Sequence, residues 1–536
     1  MILITSGAYI SQDFASEVGV LPPSFLPVSN KRLFEHQLAL LTPLGEDVYI
    51  SVPDSYEILP ADKQIIESNN VNLIRVPENI PLGESILYCW NASGVSYQSM
   101  SILHGDTLFS EVPPIPSDSI SIHKNCGYYQ RARVGANTLF AEQFEDVWAT
   151  EEELVVSGFF SFQNPQRLMQ GIVKSKGCFV GALEHYGQHE GLAPFTKGKW
   201  YDFGHLNSFF RSRTEMTTQR AFNEMTITPR IVDKASRNYE KMAAEVNWFE
   251  LLPSQMTINT PKLVAKTIHS NKVTGYKLEY LYLLPLNDLF VFGELSVGAW
   301  KQIFSAATEV LRDFSTQNSN TTCLDNLNKL YLTKTLNRLE EFAVTSGYNT
   351  HRPLTLKGLD IPPISLHDMA KKSSRFINPP SESDVGIVHG DFCFSNILYD
   401  SRVQCIKMID PRGIDLEGNL SIFGDRRYDF AKMYHSVVGL YDFIIAGRYE
   451  IKLTGLDDTF EFKVLASNRQ EQLEKIFNDH VLRISGYSEI EILAINVQLF
   501  ISMLPLHADR PERQMAMIAN AIRLFGKLIH LTSPLR

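Results

Sequence analysis

No G-x4-G-K-[ST] occurs anywhere in the chain, so a Walker-type phosphate loop is excluded. Cysteine is sparse. The six (Cys89, Cys126, Cys178, Cys323, Cys393, Cys405) are scattered and form no C-x-x-C pair, so neither a structural zinc nor a disulfide framework is indicated, and a reducing cytoplasm fits. Positive charge is not in excess. Lys and Arg number 50 against 60 Asp and Glu, a net charge of −10, which argues against general nucleic-acid binding. No run of about 18 or more apolar residues is present, so no membrane span is expected. Met1-Ile2-Leu3-Ile4-Thr5-Ser6-Gly7 is apolar but short and lacks a basic n-region; it reads as a first β-strand and not as a signal peptide. There is no internal repeat and no low-complexity tract. What remains is 536 residues, 44% hydrophobic and 21% charged, an ordinary globular composition. That length exceeds one core, and two to four domains are expected.

The densest chemistry lies at His389-Gly390-Asp391-Phe392-Cys393-Phe394-Ser395-Asn396, followed by Ile409-Asp410-Pro411-Arg412-Gly413. An Asp with an Asn five residues later suits a base and a magnesium ligand on one tight loop. A second Asp, 19 residues after the first and at the end of an apolar stretch, suits the other magnesium ligand. Phosphoryl transfer needs such a set, because the acceptor hydroxyl must be oriented and metal must neutralise phosphate charge. Between the two Asp residues, Asn396–Tyr399 reads as a strand, Asp400-Ser401-Arg402 as a turn and Val403–Ile409 as a returning strand. An Asp-capped turn beside a hairpin is the bland alternative. The whole pattern resembles the aminoglycoside phosphotransferase and choline kinase family, whose loop carries H-G-D where protein kinases carry H-R-D. The resemblance implies that Asp391 is the catalytic base, that Asn396 and Asp410 hold Mg2+, and that ATP is the phosphoryl donor.

Other segments fit a kinase-like frame. Thr226–Lys234 reads as a strand and Tyr239–Leu252 as a helix; Lys234 ends the strand and Glu245 lies on the helix, 11 residues on. In kinase-like folds such a Lys contacts nucleotide phosphates and the Glu holds it in place; a solvated charge is the alternative. Phe222–Pro229 contains no glycine, so no Gly-rich loop precedes Lys234. Tyr276–Leu283 reads as another strand. Within it Lys277-Leu278-Glu279-Tyr280-Leu281 is either a linker reading adenine through its backbone, with Glu279 and Leu281 at the nucleotide, or a buried strand end. Trp300–Phe314, Asp325–Thr345, Tyr428–Leu440, Ser467–Ile484, Glu489–Met503 and Pro511–Leu531 show helical periodicity, so the chain after Asp425 is expected to be mainly helical. Asp425-Arg426-Arg427-Tyr428-Asp429 is similar to the family's G-D-x-x-[YW]-D segment, whose acidic residue braces the catalytic loop. His507 and Asp509 are either substrate contacts or a capping turn before Pro511.

The first 220 or so residues alternate short strands (Ile2–Thr5, Val48–Val52, Val71–Val76, Ser101–Leu103, Val155–Phe162) with helices (Arg32–Leu41, Ala61–Ser68, Ser85–Ala92), which predicts an α/β domain with a mostly parallel sheet. A boundary is expected between Arg211 and Pro229. Ile102-Leu103-His104-Gly105-Asp106 and Trp200-Tyr201-Asp202-Phe203-Gly204 each place an Asp at a strand end, and two such carboxylates can share one magnesium on a nucleotide's phosphates. With the opening strand, Leu21–Leu33, Pro81-Leu82-Gly83-Glu84-Ser85 and Val156-Ser157-Gly158-Phe159-Phe160, they resemble the sugar-phosphate nucleotidyltransferases. The resemblance implies that Asp106 and Asp202 are metal ligands and that Gly7 and Gly83 line the nucleotide site, with CTP or UTP as candidate nucleotides. The chain departs from that family's G-x-G-x-R opening: Ala8 and Tyr9 follow Gly7, and Ser11 takes the Arg position. Pro23 replaces the Lys of P-K-x-L. Either Lys31 or Arg32 holds the triphosphate instead, or the domain no longer transfers nucleotides. His185-Tyr186-Gly187-Gln188-His189 reads as a polar loop and not as a metal site.

The expected fold class is α/β: a Rossmann-like, mostly parallel nucleotidyltransferase-like domain (1–220), then a two-lobed protein-kinase-like α+β domain with an N-lobe (221–285) and a large helical C-lobe (286–536). The expected function is an ATP- and Mg2+-dependent phosphotransferase acting on a small-molecule hydroxyl, fused to a nucleotidyltransferase-like partner. By resemblance, the setting is nucleotide-activated precursor synthesis for bacterial surface polysaccharide. A non-catalytic sugar-nucleotide-binding N-terminal module is the alternative. Choline, ethanolamine, an amino sugar and a hexose are all open as acceptor, and a homodimer is compatible with the sequence.

Overall fold

The computed structural model describes residues 1–94, 96–125, 129, 131–132, 153–216, 223–317, 324–454, 459–467 and 469–533. Part of the expected 211–229 boundary, Phe222, Cys126 and Cys323 lie outside them. The chain divides into two compact units, Met1–Thr217 with Phe292–Leu295, and Thr218–Val291 with Ser296–Arg536.

The first unit is built on a seven-stranded sheet, in the order Ala193–Phe195, Ser119–Lys124, Leu154–Phe162, Met100–His104, Ile2–Thr5, Val48–Pro53, Asn72–Val76. Ile2–Thr5 is central and pairs in parallel on both sides, Ile2 opposite Val48 and opposite Ser101. Ile2, Leu3 and Ile4 are completely buried, which is why this strand is a continuous apolar run and not an alternating one. Leu154–Phe162 runs antiparallel to Met100–His104, making the sheet mixed. Phe160, Phe162, Phe179, Tyr186 and Ile172 pack in one core with Leu3 and Ile102. Burial of side chains this size contributes about 1.5–3 kcal/mol each.

The expected strands and helices of this unit are present. Ser119–Lys124 and Ala193–Phe195 are additional strands, and Pro165–Lys174 and Phe179–His189 additional helices. His185–His189 is therefore helical and not a polar loop. The apolar face of that helix, Phe179, Ala182, Leu183 and Tyr186, decides its conformation and overrides the interior Gly187.

The second unit opens with a four-stranded antiparallel sheet in the order Asn223–Ile227, Ile231–Ser236, Lys272–Glu279, Leu263–His269. The expected single strand Thr226–Lys234 is two, turned at Thr228-Pro229-Arg230, where the Thr228 Oγ1 accepts the Ile231 N–H at 3.0 Å. The third strand lies four residues earlier than expected. Helix Tyr239–Leu251 packs on the sheet and buries Met242, Glu245, Val246 and Trp248.

The remainder of the unit is largely helical. Glu489–Ser502 is buried all round and packs against Leu332–Ser346, Leu366–Ser374, Arg426–Val437 and Pro511–Thr532. Three expectations here are corrected. Asp325–Thr345 is two helices, Leu324–Asn328 and Leu332–Ser346, and Ser467–Ile484 contains a π-helical turn at Asn478–Leu482. A hairpin, Tyr449–Thr454 with Thr459–Val464, interrupts the stretch expected to be mainly helical. Among the described residues, no single helix is long and apolar enough to cross a membrane.

Candidate active site

The hairpin Ile397–Asp400 and Cys405–Met408 pairs Ile397 with Met408, so Asn396 and Ile409 stand side by side, and the Ile409 N–H donates to the Asn396 carbonyl at 3.0 Å. This register brings the two halves of the motif together. His389 is fully buried, and its Nε2 donates to the Ile409 carbonyl at 3.0 Å while its Nδ1 accepts the Asp391 N–H at 3.3 Å. Only a neutral imidazole satisfies both bonds. Burial agrees, pushing His389 down to about 4 against the opposing pull of Asp391. Asp429, on helix Arg426–Val437, accepts the N–H groups of His389 (2.7 Å) and Gly390 (2.9 Å). Burial raises that carboxyl to about 7, against the lowering effect of these two N–H groups. It braces the loop, as the resemblance implied.

Asn396 donates to the Asp391 carbonyl at 2.9 Å and to its Oδ2 at 3.0 Å, fixing the carboxylate. The Asp391 side chain is 42% exposed, so a small molecule can reach it. On its other oxygen sits Lys432 Nζ at 2.7 Å. Desolvation raises the Asp391 carboxyl, but Lys432, His389 and Asn396 outweigh it and hold it at about 2. Cys393 beside it is raised to about 12 by burial, so it stays a thiol.

Lys234 stands opposite Tyr276 in the sheet and donates to Glu245 Oε2 at 2.8 Å and to Asp410 Oδ1 at 3.0 Å. Tyr276 OH donates to the same Glu245 oxygen at 2.6 Å. Burial lowers the Lys234 ammonium, but Asp410 and Glu245 outweigh it and raise it, so it stays charged. Lys234, Glu245 and Asp410, distant in sequence, thus form one group, and Lys234 is no free surface charge. Asp410 has φ of 56°, a left-handed conformation that Asp tolerates better than most residues and that marks a constrained position. Its carboxylate, 40% exposed, and the Asn396 amide offer hard oxygen donors of the kind Mg2+ takes. Among the described residues, no group of three or more His, Cys, Asp or Glu is arranged to hold a metal.

Glu279 ends its strand, exchanges backbone and side-chain bonds with Lys262, and makes no hydrogen bond or ion pair with the Lys234 group. Leu281 is half-buried in the segment that follows. His507 closes a short turn, Leu504–His507, before helix Pro511–Thr532, but the helix is capped at Arg510 with no side-chain bond, so neither His507 nor Asp509 caps it. Sequence reasoning missed Lys432. Its signal was the spacing Asp429–Lys432, three residues apart on one helix, which puts brace and cation on the same face.

In the first unit, Thr107–Phe109 pairs antiparallel with Trp200–Asp202, with Asp202 opposite Thr107, and Phe203 N–H donates to the Asp106 carbonyl at 2.8 Å. That pairing sets Asp106 and Asp202 on either side of Gly204. A Cβ there would overlap Asp106 Oδ2 and lie 3.4 Å from Asp202 Oδ1. Asp202 is ion-paired to Arg131, whose guanidinium lies 4.9 Å from the Trp200 ring centre. Burial raises the Asp202 carboxyl, but His205, Arg131, Ser208 and the Gly204 N–H outweigh it and lower it. Gly7 is hemmed in by Val76, Ser85 and Ser51, and Gly83 abuts the Gly177 carbonyl. Tyr9 OH hydrogen-bonds Ser55 Oγ at 2.8 Å. Arg32, a candidate for the triphosphate, is completely buried with its Nε on Asp62 at 2.9 Å, and so is unavailable to a ligand.

No protein-family model matches the sequence, and no curated protein matches it. Solved structures similar to the N-terminal part include HddC from Yersinia pseudotuberculosis, 17% identical, covering 40% of this chain and 99% of HddC with a TM-score of 0.30. Another is the inositol-1-phosphate CTP transferase from T. maritima, 13% identical, covering 41% and 97% with a TM-score of 0.30. The rest of the chain is similar to wild-type aminoglycoside 2'-phosphotransferase-IIIa in its GDP complex, 12% identical, covering 58% and 91% with a TM-score of 0.34. The second and third of these are transferases by name.

Proposed function

We propose that the unit from residue 221 onward is an ATP- and Mg2+-dependent phosphotransferase acting on a hydroxyl of a small molecule. The observation that carries this is the convergence of Lys234, Glu245 and Asp410 beside the Asp391–Asn396 pair. Lys234, held by Glu245 and Tyr276, is placed to contact nucleotide phosphates. Asp410 and Asn396 are the residues that would hold Mg2+, which when bound neutralises phosphate charge. Asp391, ionised well below neutral pH and oriented by Asn396, accepts the acceptor's hydroxyl proton. Glu279 and Leu281, at the end of strand Lys272–Glu279 and just beyond it, are proposed as the backbone contacts to the adenine.

The pairing of this unit with a nucleotidyltransferase-like domain supports consecutive steps, phosphorylation and then nucleotide attachment. The product would be a nucleotide-activated precursor for surface polysaccharide in a bacterial cytoplasm. A second reading is favoured by the Arg131–Asp202 ion pair. That pair already neutralises one of the two carboxylates that would hold Mg2+ with CTP or UTP, and Gly7 faces Val76, Ser85 and Ser51. The N-terminal domain then binds a sugar nucleotide without turning it over. Pyrophosphate release from CTP or UTP with a phosphorylated acceptor separates the two. Robust release, lost in Asp106→Ala, would establish the bifunctional enzyme and eliminate the binding module.

The kinase assignment is tested by thermal shift with Mg2+ and a non-hydrolysable ATP analogue. A ligand at 100 times its dissociation constant stabilises by about 2.7 kcal/mol. The wild-type chain should show an upward shift, and Asp410→Ala should lose most of it. Equal shifts in both proteins would remove Asp410 from the site.

A further inference from the structure

Three cations from three separate segments lie at the catalytic loop and the Tyr428 phenol beside it. Lys334, on helix Leu332–Ser346, has its Nζ 3.4 Å from the Tyr428 hydroxyl and 5.3 Å from the ring centre. Lys432, on helix Arg426–Val437, reaches Asp391 at 2.7 Å. Arg412 follows Asp410 by two residues, and its Cβ lies against Gly390 of the catalytic loop. Burial raises the Tyr428 phenol, yet Lys334, Lys432 and Arg412 together outweigh burial and Asp391 and lower it.

The acidic residues close by are committed elsewhere. Asp391 takes the charge of Lys432. Asp425 is bound by Arg427 and by the Tyr331 hydroxyl. Asp429 accepts the two loop N–H groups. Lys334 and Arg412 make no ion pair among the described residues, and both are only half-buried. Two positive charges thus lie at Tyr428 and against the catalytic loop with no ion-paired anion among the described residues, and burial with the repulsion of Arg412 and Lys432 outweighs the pull of Tyr428 and lowers the Lys334 ammonium. Such an arrangement is costly unless an anion completes it.

We propose that Lys334 and Arg412, with Tyr428, form an anion subsite next to Asp391, and that the phosphoryl acceptor is a hydroxyl compound already carrying a phosphate monoester. The uncompensated charge of two matches a dianionic phosphate better than a single carboxylate. It repels polycationic aminoglycosides and choline alike. This rests on the phosphotransferase reading above and narrows its acceptor.

The test is calorimetry with inorganic phosphate titrated into the full chain saturated with Mg2+ and a non-hydrolysable ATP analogue, so that the nucleotide's own phosphate positions are filled. Wild type should bind phosphate. Lys334→Met combined with Arg412→Gln should weaken it by about 10-fold or more, as expected for losing charge-assisted hydrogen bonds. Lys334→Arg should retain binding, which a merely structural role would not require. The affinity of the nucleotide analogue should change by less than about threefold in these variants. Absence of phosphate binding in wild type, binding indifferent to the double variant, or an equal loss of nucleotide affinity would each overturn the subsite. Failure of the analogue to bind wild type at all would instead refute the phosphotransferase reading, and the subsite with it.

Discussion

Replacing Lys432 by Met should move the acid limb of activity upward. The structure sets the size of the effect. Asp391 is held at about 2, against an ordinary carboxylate value of 3.8, and Lys432 at 2.7 Å is its chief stabilising partner. A shift of that size corresponds to roughly 2.5 kcal/mol at about 1.36 kcal/mol per unit. The carboxylate is 42% exposed, so solvent screening reduces the contribution of the pair to on the order of 1 kcal/mol. The variant's Asp391 should therefore titrate about one unit higher.

The sign follows from the base role. Transfer requires ionised Asp391, so activity falls as pH drops through its pKa, and raising that pKa brings the fall to higher pH. The stability linked to Asp391 has the same sense: it is present above the unfolded value of 3.8, lost as pH falls towards 2, and diminished in the variant. The assay is the pH profile of ADP formation between about pH 2 and pH 6, which spans both acid limbs, without added acceptor if none is known, since water serves as a slow acceptor. Lys432→Met should show an acid limb displaced upward from wild type. Coincident limbs would refute the reasoning, whatever the change in absolute rate.

Gly413 has φ of 62°, and a Cβ there would overlap the Ala244 carbonyl, on the helix that carries Glu245. Gly413→Ala should cost about 1–3 kcal/mol and weaken nucleotide binding by displacing Glu245, read by thermal unfolding and calorimetry; Gly418→Ala, also at positive φ but with nothing within 4 Å, should affect stability only. Asn396→Ala should reduce turnover by about 10²-fold or more, because both the metal donor and the two bonds that orient Asp391 are lost, and a rate near wild type would remove Asn396 from the machinery.

The His389–Asn396 loop was legible because its residues are local: an Asp, an Asn five residues on and a hairpin returning to a second Asp lie within 24 residues from His389 to Arg412. Lys234 and Glu245 were legible as a strand followed by a helix, but Tyr276 as their third partner depended on sheet register. Lys334 was not legible, since only tertiary packing of its helix brings it to Tyr428, and Lys432 had no signal beyond its spacing from Asp429. Leu263–His269 escaped notice because it is almost entirely exposed and has no apolar face to show a period. The helix Phe179–His189 was obscured by its polar end. The Arg131–Asp202 pair could not be read from spacing, because 71 residues separate its members.

The most direct test of the central claim compares Asp391→Asn with wild type in two readings on the same protein. The substitution preserves shape and leaves Lys234, Asn396 and Asp410 in place. Calorimetry with Mg2+ and a non-hydrolysable ATP analogue should give an affinity within about threefold of wild type, while ADP formation should fall by about 10²-fold or more, as expected on removing a positioned base. Near-normal turnover in Asp391→Asn, with nucleotide binding retained, would contradict the assignment of Asp391 and with it the phosphotransferase mechanism.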